Sequence, residues 1–228
     1  MKISVIVPAY NERNNIGKLI EKLNEILKKE QINFEIIIVD DYSPDGTGDI
    51  VKEYMKKYKN VKLLQKQKEG LGAAVRYGFS KATGNLFVVM DADLSHPPET
   101  IPIFVNAIER EGYDIVLGSS WAKGAFKDVP FYRRVISWGA NMIARVLFLL
   151  PVKDPMSGFF AVKSSIIKRI NLKVRSFKIL LEILVKAKGA KIKEVPMQFI
   201  DRKGGKSKLG IKEIIRYLKL IVQLRLGL

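Results

Sequence analysis

The chain of 228 residues has no cysteine and one histidine, His96. That excludes disulfide frameworks and thiolate metal sites, and it fits a reducing compartment. No uninterrupted apolar stretch approaches the roughly 20 residues that a membrane-spanning helix needs. The longest runs from Val146 to Val152. The first residues, MKISVIVPAYNE, enter a strand-like run at once and carry no cleavable signal pattern. The chain is therefore not expected to span a membrane. Also missing is a Gly-x-Gly-x-x-Gly turn after the first strand. VPAYNERN contains no glycine, and Gly70-Leu71-Gly72 lacks the third one, which disfavours dinucleotide binding.

Acidic residues are scarce in one half only. Residues 1–120 carry 16 Lys/Arg and 17 Asp/Glu, a net of −1, whereas residues 121–228 carry 24 and 6, a net of +18. This asymmetry assigns a near-neutral half to acidic ligand chemistry and a basic half to something anionic. Nucleic acid, anionic lipid and a phosphorylated substrate are the candidates, beside a merely Lys-rich solvated surface. The length suits one large domain, or one domain with an appendage.

Apolar runs and helical stretches alternate through the first half. Ile3–Val7, Phe34–Val39, Val61–Leu64, Leu86–Met90 and Ile115–Leu117 read as strands; Asn15–Lys28, Thr47–Lys59, Leu71–Ala82 and Pro98–Arg110 read as helices. The runs are continuous rather than alternating, as strands buried on both faces must be. The rhythm predicts a mostly parallel α/β sheet with helices on both faces. It breaks near Gly118, where a subdomain change is expected. Beyond that point Arg134–Leu150 and Ile211–Leu226 are apolar helices with narrow polar stripes, Arg134/Ser137/Asn141/Arg145 and Lys212/Arg216/Lys219/Gln223. Such helices are either core or lie in a membrane interface.

Chemistry-bearing residues cluster where strands end. In NLFVVMDADLSHPPE, Asp91 and Asp93 follow a buried run directly. In open α/β sheets ligands bind beyond the carboxyl ends of the strands. Two hard oxygen donors there suit Mg²⁺ or Mn²⁺ shared with substrate phosphates. The bland alternative makes Asp91 a helix cap and Asp93 a turn residue. After the first strand, VPAYNE places Pro8, Tyr10 and Glu12 at the same edge, where an aromatic covers a base and a carboxylate accepts from ribose or base. A plain strand–helix loop capped by Asn11 or Asn14 is the alternative. VDDYSPDGT adds Asp40 and Asp41 before a strong turn signal. His96, flanked by Leu94-Ser95 and Pro97-Pro98, reads as a structural turn residue rather than a base.

Taken in order, VPAYNE, VDDYSPDGT, GLGAAVRYGF, VVMDADLSHPPE, DPMSGFFAVK and RKGGKSKLG resemble the polyprenyl-phosphate (dolichyl-phosphate) mannose synthases. These are inverting family-two glycosyltransferases with an A-type fold, and the similarity runs from Ile3 to about Leu220. The resemblance implies that Pro8, Tyr10, Glu12, Val39 and Asp41 hold the guanosine of GDP-mannose. It implies that Asp91, Ala92 and Asp93 meet the diphosphate and its divalent metal, with Ser95 as a weaker third metal contact. Arg133 and Ser137 would grip the acceptor phosphate, and Arg202 and Lys208 would close over the phosphates. Asp91, Asp93 and Arg133 are then the catalytic set. One departure stands out: the family reads GSRY where this chain has Gly118-Ser119-Ser120-Trp121, so Ser120 replaces an arginine.

The expected activity is inverting transfer of mannose from GDP-mannose to a polyprenyl phosphate, by a peripheral protein on the cytoplasmic side of a membrane. Residues 1–120 form the nucleotide-sugar half and residues 121–228 the acceptor- and membrane-facing half of one catalytic domain. A membrane-embedded partner subunit is left open. UDP-glucose or another donor is the nearest rival, because the motifs do not read the sugar. A non-catalytic basic module is the rival of another class. Nucleic acid is disfavoured, since the basic residues sit on apolar helices and a Gly-rich loop rather than among aromatics on a sheet face.

Overall fold

The computed structural model describes residues 1–119, 131–173, 178–197 and 211–226, with the backbone alone for 131–135 and 211–214. Seven strands form one sheet: β1 (Lys2–Ala9), β2 (Asn33–Asp40), β3 (Val61–Gln65), β4 (Leu86–Val89), β5 (Ile115–Ser119), β6 (Phe160–Lys163) and β7 (Ile192–Pro196). Their order is β3-β2-β1-β4-β6-β5-β7, and among them β6 alone runs antiparallel to its neighbours. The five strands read from the sequence are all present, each within a few residues of its expected span.

Helices α1 (Arg13–Lys29), α2 (Thr47–Lys57), α3 (Leu71–Lys81) and α4 (Ile101–Glu109) alternate with the first five strands. A 3₁₀ turn at Pro98–Thr100 leads into α4. Then follow α5 (Phe131–Phe148), α6 (Ser164–Arg169), α7 (Ile179–Lys186) and α8 (Ile211–Arg225). The sequence reading did not anticipate β6, β7, α6 or α7. Strand β6, from the basic half, lies between β4 and β5, so the two halves share one sheet.

Alternate residues of each strand serve opposite layers, as a period of two requires. Val5, Val7, Ile36, Ile38 and Val88 pack with α1, α2 and α4. Ile6, Ile37, Val39, Phe87 and Val89 pack with α3 and α5 to α8. Each fully buried aliphatic side chain of this kind stabilises the fold by about 1.5–3 kcal/mol. Helix α3 lies very close to the sheet, because a Cβ at Gly78 would come within 2.5 Å of Ile6 Cγ2. At the opposite end of the sheet from the strand termini discussed below, buried Glu35 ties three segments together. Its Oε1 accepts from Ser4 Oγ (2.6 Å) and from the Thr83 N–H (2.7 Å), and its Oε2 lies 2.8 Å from Lys62 Nζ.

Helices α5 and α8 are joined by a hydrogen bond from Tyr217 Oη to the Ala140 carbonyl (2.6 Å). Burial pushes the Tyr217 phenol up to about 12. Outward they present Ile136, Trp138, Met142, Ile143, Val146, Leu147 and Leu149 from α5 and its end, and Ile215, Leu218, Val222 and Leu226 from α8, all exposed. On α5 two members of the expected polar stripe turn inward, whereas Ser137 is exposed. Asn141 is buried and Arg145 half-buried, and Asn141 Oδ1 and Arg145 Nε are enclosed with no hydrogen-bond partner. The helix is inside-out by the rules of a water-soluble surface. Among the described residues no helix is long and apolar enough to cross a membrane.

Candidate active site

The register of the sheet determines which loops meet. Ala9 pairs with Asp40 across β1 and β2, and Ile6 pairs with Val89 across β1 and β4. The segments that leave these three strands therefore rise from one edge, where the chain order reverses between β1 and β4. That crevice is the usual ligand position in such sheets. Each segment contains one non-glycine residue in the left-handed region: Asn11 (φ 60°), Tyr42 (φ 49°) and Leu94 (φ 63°). Backbone of this kind costs energy and is concentrated at functional sites.

Side chains of the SPDG turn staple the first two loops. Ser43 Oγ accepts from the Asn11 N–H (3.0 Å), Asp45 Oδ2 from the Arg13 N–H (3.0 Å) and Thr47 Oγ1 from the Glu12 N–H (2.9 Å). Burial works to raise the Asp45 pKa, but the bonds from Thr47 and Arg13 outweigh it and hold the carboxyl below its ordinary range. Asp40 serves the same scaffold. Its Oδ1 accepts from the Ser43 hydroxyl and N–H, and its Oδ2 from Gln65 Nε2 (3.0 Å). Glu12 is placed at the start of α1, with its Oε2 accepting from Asn15 Nδ2 (2.8 Å). No side chain caps that helix, so the alternative reading of a loop capped by Asn11 or Asn14 is not what the structure has.

Asp41 behaves differently from its neighbour. It is 8 % exposed, and its Oδ1 is buried with no hydrogen-bond partner. Burial pushes its pKa up; Lys66 and Lys68 pull against that shift, while Asp40 and Glu69 add to it. An enclosed carboxylate oxygen without a donor costs about 1–3 kcal/mol unless something supplies one. Tyr10 is 40 % exposed beside it, with Lys68 Nζ 3.0 Å above its ring centroid. Nothing in the sequence reading singled out Lys68; its only signal was the charged run before Gly70. Pro8 and Val39 are register partners across the same two strands. Val39 is fully buried under α3, so it could meet a ligand only through its main chain.

Beyond β4, Asp93 Oδ1 accepts from the Ser95 N–H (3.0 Å) and the Ser95 hydroxyl (2.6 Å). Ser95 is itself buried, and its hydroxyl is engaged in orienting the carboxylate. Ala92 is buried against the α4 side of the core. His96 is 1 % exposed, accepts the Asp91 N–H at Nδ1 (3.0 Å) and stacks on Phe159 with centroids 5.1 Å apart. These contacts agree with a structural role for the histidine.

The antiparallel β6 brings a distant motif to this point. A Cβ at Gly158 would lie 3.3 Å from His96 Cε1 and 3.4 Å from Asp91 Oδ2. The same strand closes on β5 through a bond from the Gly118 N–H to the Phe159 carbonyl (2.9 Å) and one from Ser157 Oγ to the Gly118 carbonyl (2.6 Å). Ser137 is exposed on α5, and Arg133 lies in its first turn with only its backbone described. Ser120, Arg202 and Lys208 lie outside the described residues.

With this geometry in hand, the sequence pattern of the family described as Glycosyl transferase family 2 matches residues 4–170. The chain belongs to glycosyl transferase family 2. A curated family-2 relative from Pyrococcus furiosus, named dolichol-phosphate mannosyltransferase, is 46 % identical over 98 % of this chain. The chain spans 64 % of that relative's length. One of the same name from Saccharomyces cerevisiae is 40 % identical over 98 % of the chain and 87 % of its own length. Among solved structures, glucosyl-3-phosphoglycerate synthase from Mycobacterium tuberculosis, crystallised with Mn²⁺, UDP-glucose and phosphoglyceric acid, superposes with a TM-score of 0.73 at 18 % identity. That match covers 99 % of this chain and 79 % of the other. The fold is the A-type glycosyltransferase fold expected from the sequence.

Proposed function

We propose that the chain transfers mannose from GDP-mannose to a polyprenyl (dolichyl) phosphate, with inversion, as a peripheral protein on the cytoplasmic side of a membrane. The observation that carries this reading is the shared edge of β1, β2 and β4. There a partnerless buried oxygen of Asp41 and the Tyr10 ring lie at the same strand edge from which the Asp91/Asp93 segment leaves. The relatives named dolichol-phosphate mannosyltransferase in two organisms support mannose as the sugar and dolichyl phosphate as the acceptor.

Tyr10 offers a face to the base, Asp41 accepts its N–H groups, and Glu12 accepts from ribose or base. Asp91 and Asp93 have the donor chemistry for Mg²⁺ or Mn²⁺. Among the described residues no cluster of three or more His, Cys, Asp and Glu side chains forms a metal cage. Two carboxylates with coordination completed by phosphates are what a hard divalent ion accepts. Such an ion, when bound there, neutralises charge on the departing diphosphate. Ser95 fixes the Asp93 carboxylate, and His96, stacked on Phe159, fixes the Asp91 backbone, so one acid group and the main chain of the other are held in advance of substrate.

A phosphate monoester has its second pKa near about 6, so the acceptor is largely ionised at neutral pH and needs no general base. It needs cations that offset its charge beside the donor diphosphate. Arg133, Ser137, Arg202 and Lys208 are assigned to that clamp, with arginine suited to bidentate capture. The exposed apolar faces of α5 and α8 would rest in the lipid interface that holds the acceptor.

Steady-state transfer should be measured with GDP-mannose, UDP-glucose and other donors against polyprenyl-phosphate concentration, with and without Mn²⁺. Arg133→Ala and Arg202→Ala should each lower transfer at least tenfold, for loss of a contact worth about 1.5–3 kcal/mol, and spare GDP-mannose binding. Wild-type kinetics in both variants would remove the clamp, and preference for UDP-glucose would replace the donor.

A further inference from the structure

Tyr10, Asp41 and Lys68 meet at one corner of the crevice, and three contacts place them there. The Asp41 N–H donates to the Ala9 carbonyl (3.2 Å), which sets Asp41 beside the Tyr10 peptide. The Lys66 N–H donates to the Asp40 carbonyl (3.1 Å), which roots the segment after β3 at the same strand end. From that root Lys68 returns across the site until its Nζ stands 3.0 Å above the Tyr10 ring. Lys66 and Lys68 both act electrostatically on Asp41, in keeping with this placement.

The two charged groups have opposite and exclusive hydrogen-bonding characters. An ionised carboxylate only accepts and an ammonium only donates. Side by side, they match a base edge on which N–H donors adjoin a carbonyl. Guanine has that edge: its N1–H and N2 amine stand next to O6. Adenine has an amine where guanine has O6 and no ring N–H on that edge. Uracil has a single N–H between two carbonyls, which leaves the second carboxylate oxygen unmatched. The partnerless Asp41 Oδ1 is thus best served by a base with two adjacent donors. Lys68, on a flexible four-carbon stem, can move from the ring face to the base edge without any backbone change.

We propose that Lys68 is a specificity-determining residue, donating from Nζ to the O6 carbonyl of a guanine whose N1–H and N2–H are accepted by Asp41. The inference rests on the reading of this edge as a nucleotide-sugar site and adds to it the means of selecting the base. Lys68 is exposed, so its replacement leaves the core intact.

The test is calorimetric binding of GDP, ADP and UDP to the full chain, in the wild type, Lys68→Met and Lys68→Arg. The wild type should prefer GDP. Lys68→Met should lose about tenfold in GDP affinity, the loss expected for one charge-assisted hydrogen bond. ADP and UDP should change less than twofold, and Lys68→Arg should keep most of the preference. An equal loss for all three nucleotides would place Lys68 on the phosphates and overturn the proposal, as would unchanged GDP affinity in Lys68→Met. A wild type without GDP preference would overturn the donor reading and this inference together. Preference retained in Lys68→Met removes Lys68 alone and leaves the donor reading standing.

Discussion

The strand edge around β1 and β2 and the surface formed by α5 and α8 follow opposite rules. At the edge, buried and half-buried polar groups are matched almost one for one: Asp40 with Ser43 and Gln65, Asp45 with Arg13 and Thr47, Asp93 with Ser95. The exception is Asp41 Oδ1, enclosed with no partner at the same edge. On α5 the polar Asn141 and Arg145 turn inward with partnerless atoms, while Leu149 stands 88 % exposed beside the end of the helix. The first region pairs its polar groups within the fold and leaves one oxygen over. The second exposes apolar side chains and encloses polar ones. The difference shows that a partnerless polar atom means little by itself; its neighbours decide whether it marks a ligand or a medium.

The comparison can be broken most severely at the acids. Asp93→Ala should lower transfer by about a thousandfold or more, the scale of losing one main electrostatic stabiliser of the transition state, with an unchanged melting temperature. Residual activity near wild type in EDTA would show that the edge does not work through a metal.

A smaller effect is expected on the apolar surface. Val146→Asp with Leu149→Asp should cut sedimentation with anionic vesicles by about tenfold or more, since each removes apolar area worth about 1.5–3 kcal/mol when buried. In the unaltered chain, high salt should weaken vesicle binding by screening, and a salt-resistant remainder should persist. Equal vesicle binding by the double variant would return α5 to the class of ordinary exposed helices.

The Asp41 carboxyl offers a finer probe. Its raised pKa means that it protonates at a higher pH than an ordinary aspartate, and only the ionised form accepts two N–H groups. GDP affinity should therefore fall as pH drops through that raised value, by roughly tenfold per lost charge-assisted bond. Asp41→Asn should bind weakly at every pH and lose the dependence. A parallel pH profile in the variant would assign the titration to another group.

The smallest change concerns stability alone. Burial works to raise the Glu35 pKa, but the bonds from Lys62, Ser4 and Thr83 bring it down from 4.5 to about 2. Its stabilisation is thus complete above about pH 4.5 and is lost as pH falls towards 2. Glu35→Gln should cost on the order of 2 kcal/mol at pH 7 and flatten that acid limb in chemical denaturation. Transfer measured below the melting temperature should be unaffected, because this carboxylate lies at the far end of the strands.

Much of this was legible in the chain. The strands β1 to β5 announce themselves as continuous Val/Ile runs bounded by turn residues, and the acids at their ends follow from that assignment. Strand β6 did not, because Phe160–Lys163 is four residues long and gives no period to read. Strand β7 is half-exposed and ends in Pro196, which weakens its signal further. On α5 the period revealed a polar stripe but not that Asn141 and Arg145 turn inward while Ser137 stays exposed. Helical spacing fixes which residues share a face, and only the surroundings decide which face is inside. Lys68 was invisible because its role depends on a loop returning over Tyr10, a contact between segments far apart in sequence.

Because β6 is reversed, the chain leaves the sheet after Ser119 and re-enters it at Phe160 along the same border, with Gly118 bonded to Phe159 and Ser157. Everything between is a closed excursion whose two ends are already clasped. The entropy of closing such a loop grows only logarithmically, by about 0.6 kcal/mol for each doubling of its length. Length changes within the excursion that spare Ala144, Leu150 and Val152, which pack in the core shared with β1, β2 and β4, thus carry little entropic penalty. The edge of β1, β2 and β4 meets the excursion through the contact of Gly158 with Asp91 and His96, and the strands meet it through Ala144, Leu150 and Val152 in the shared core. Ser120 follows the clasp directly in the sequence, at the start of that excursion.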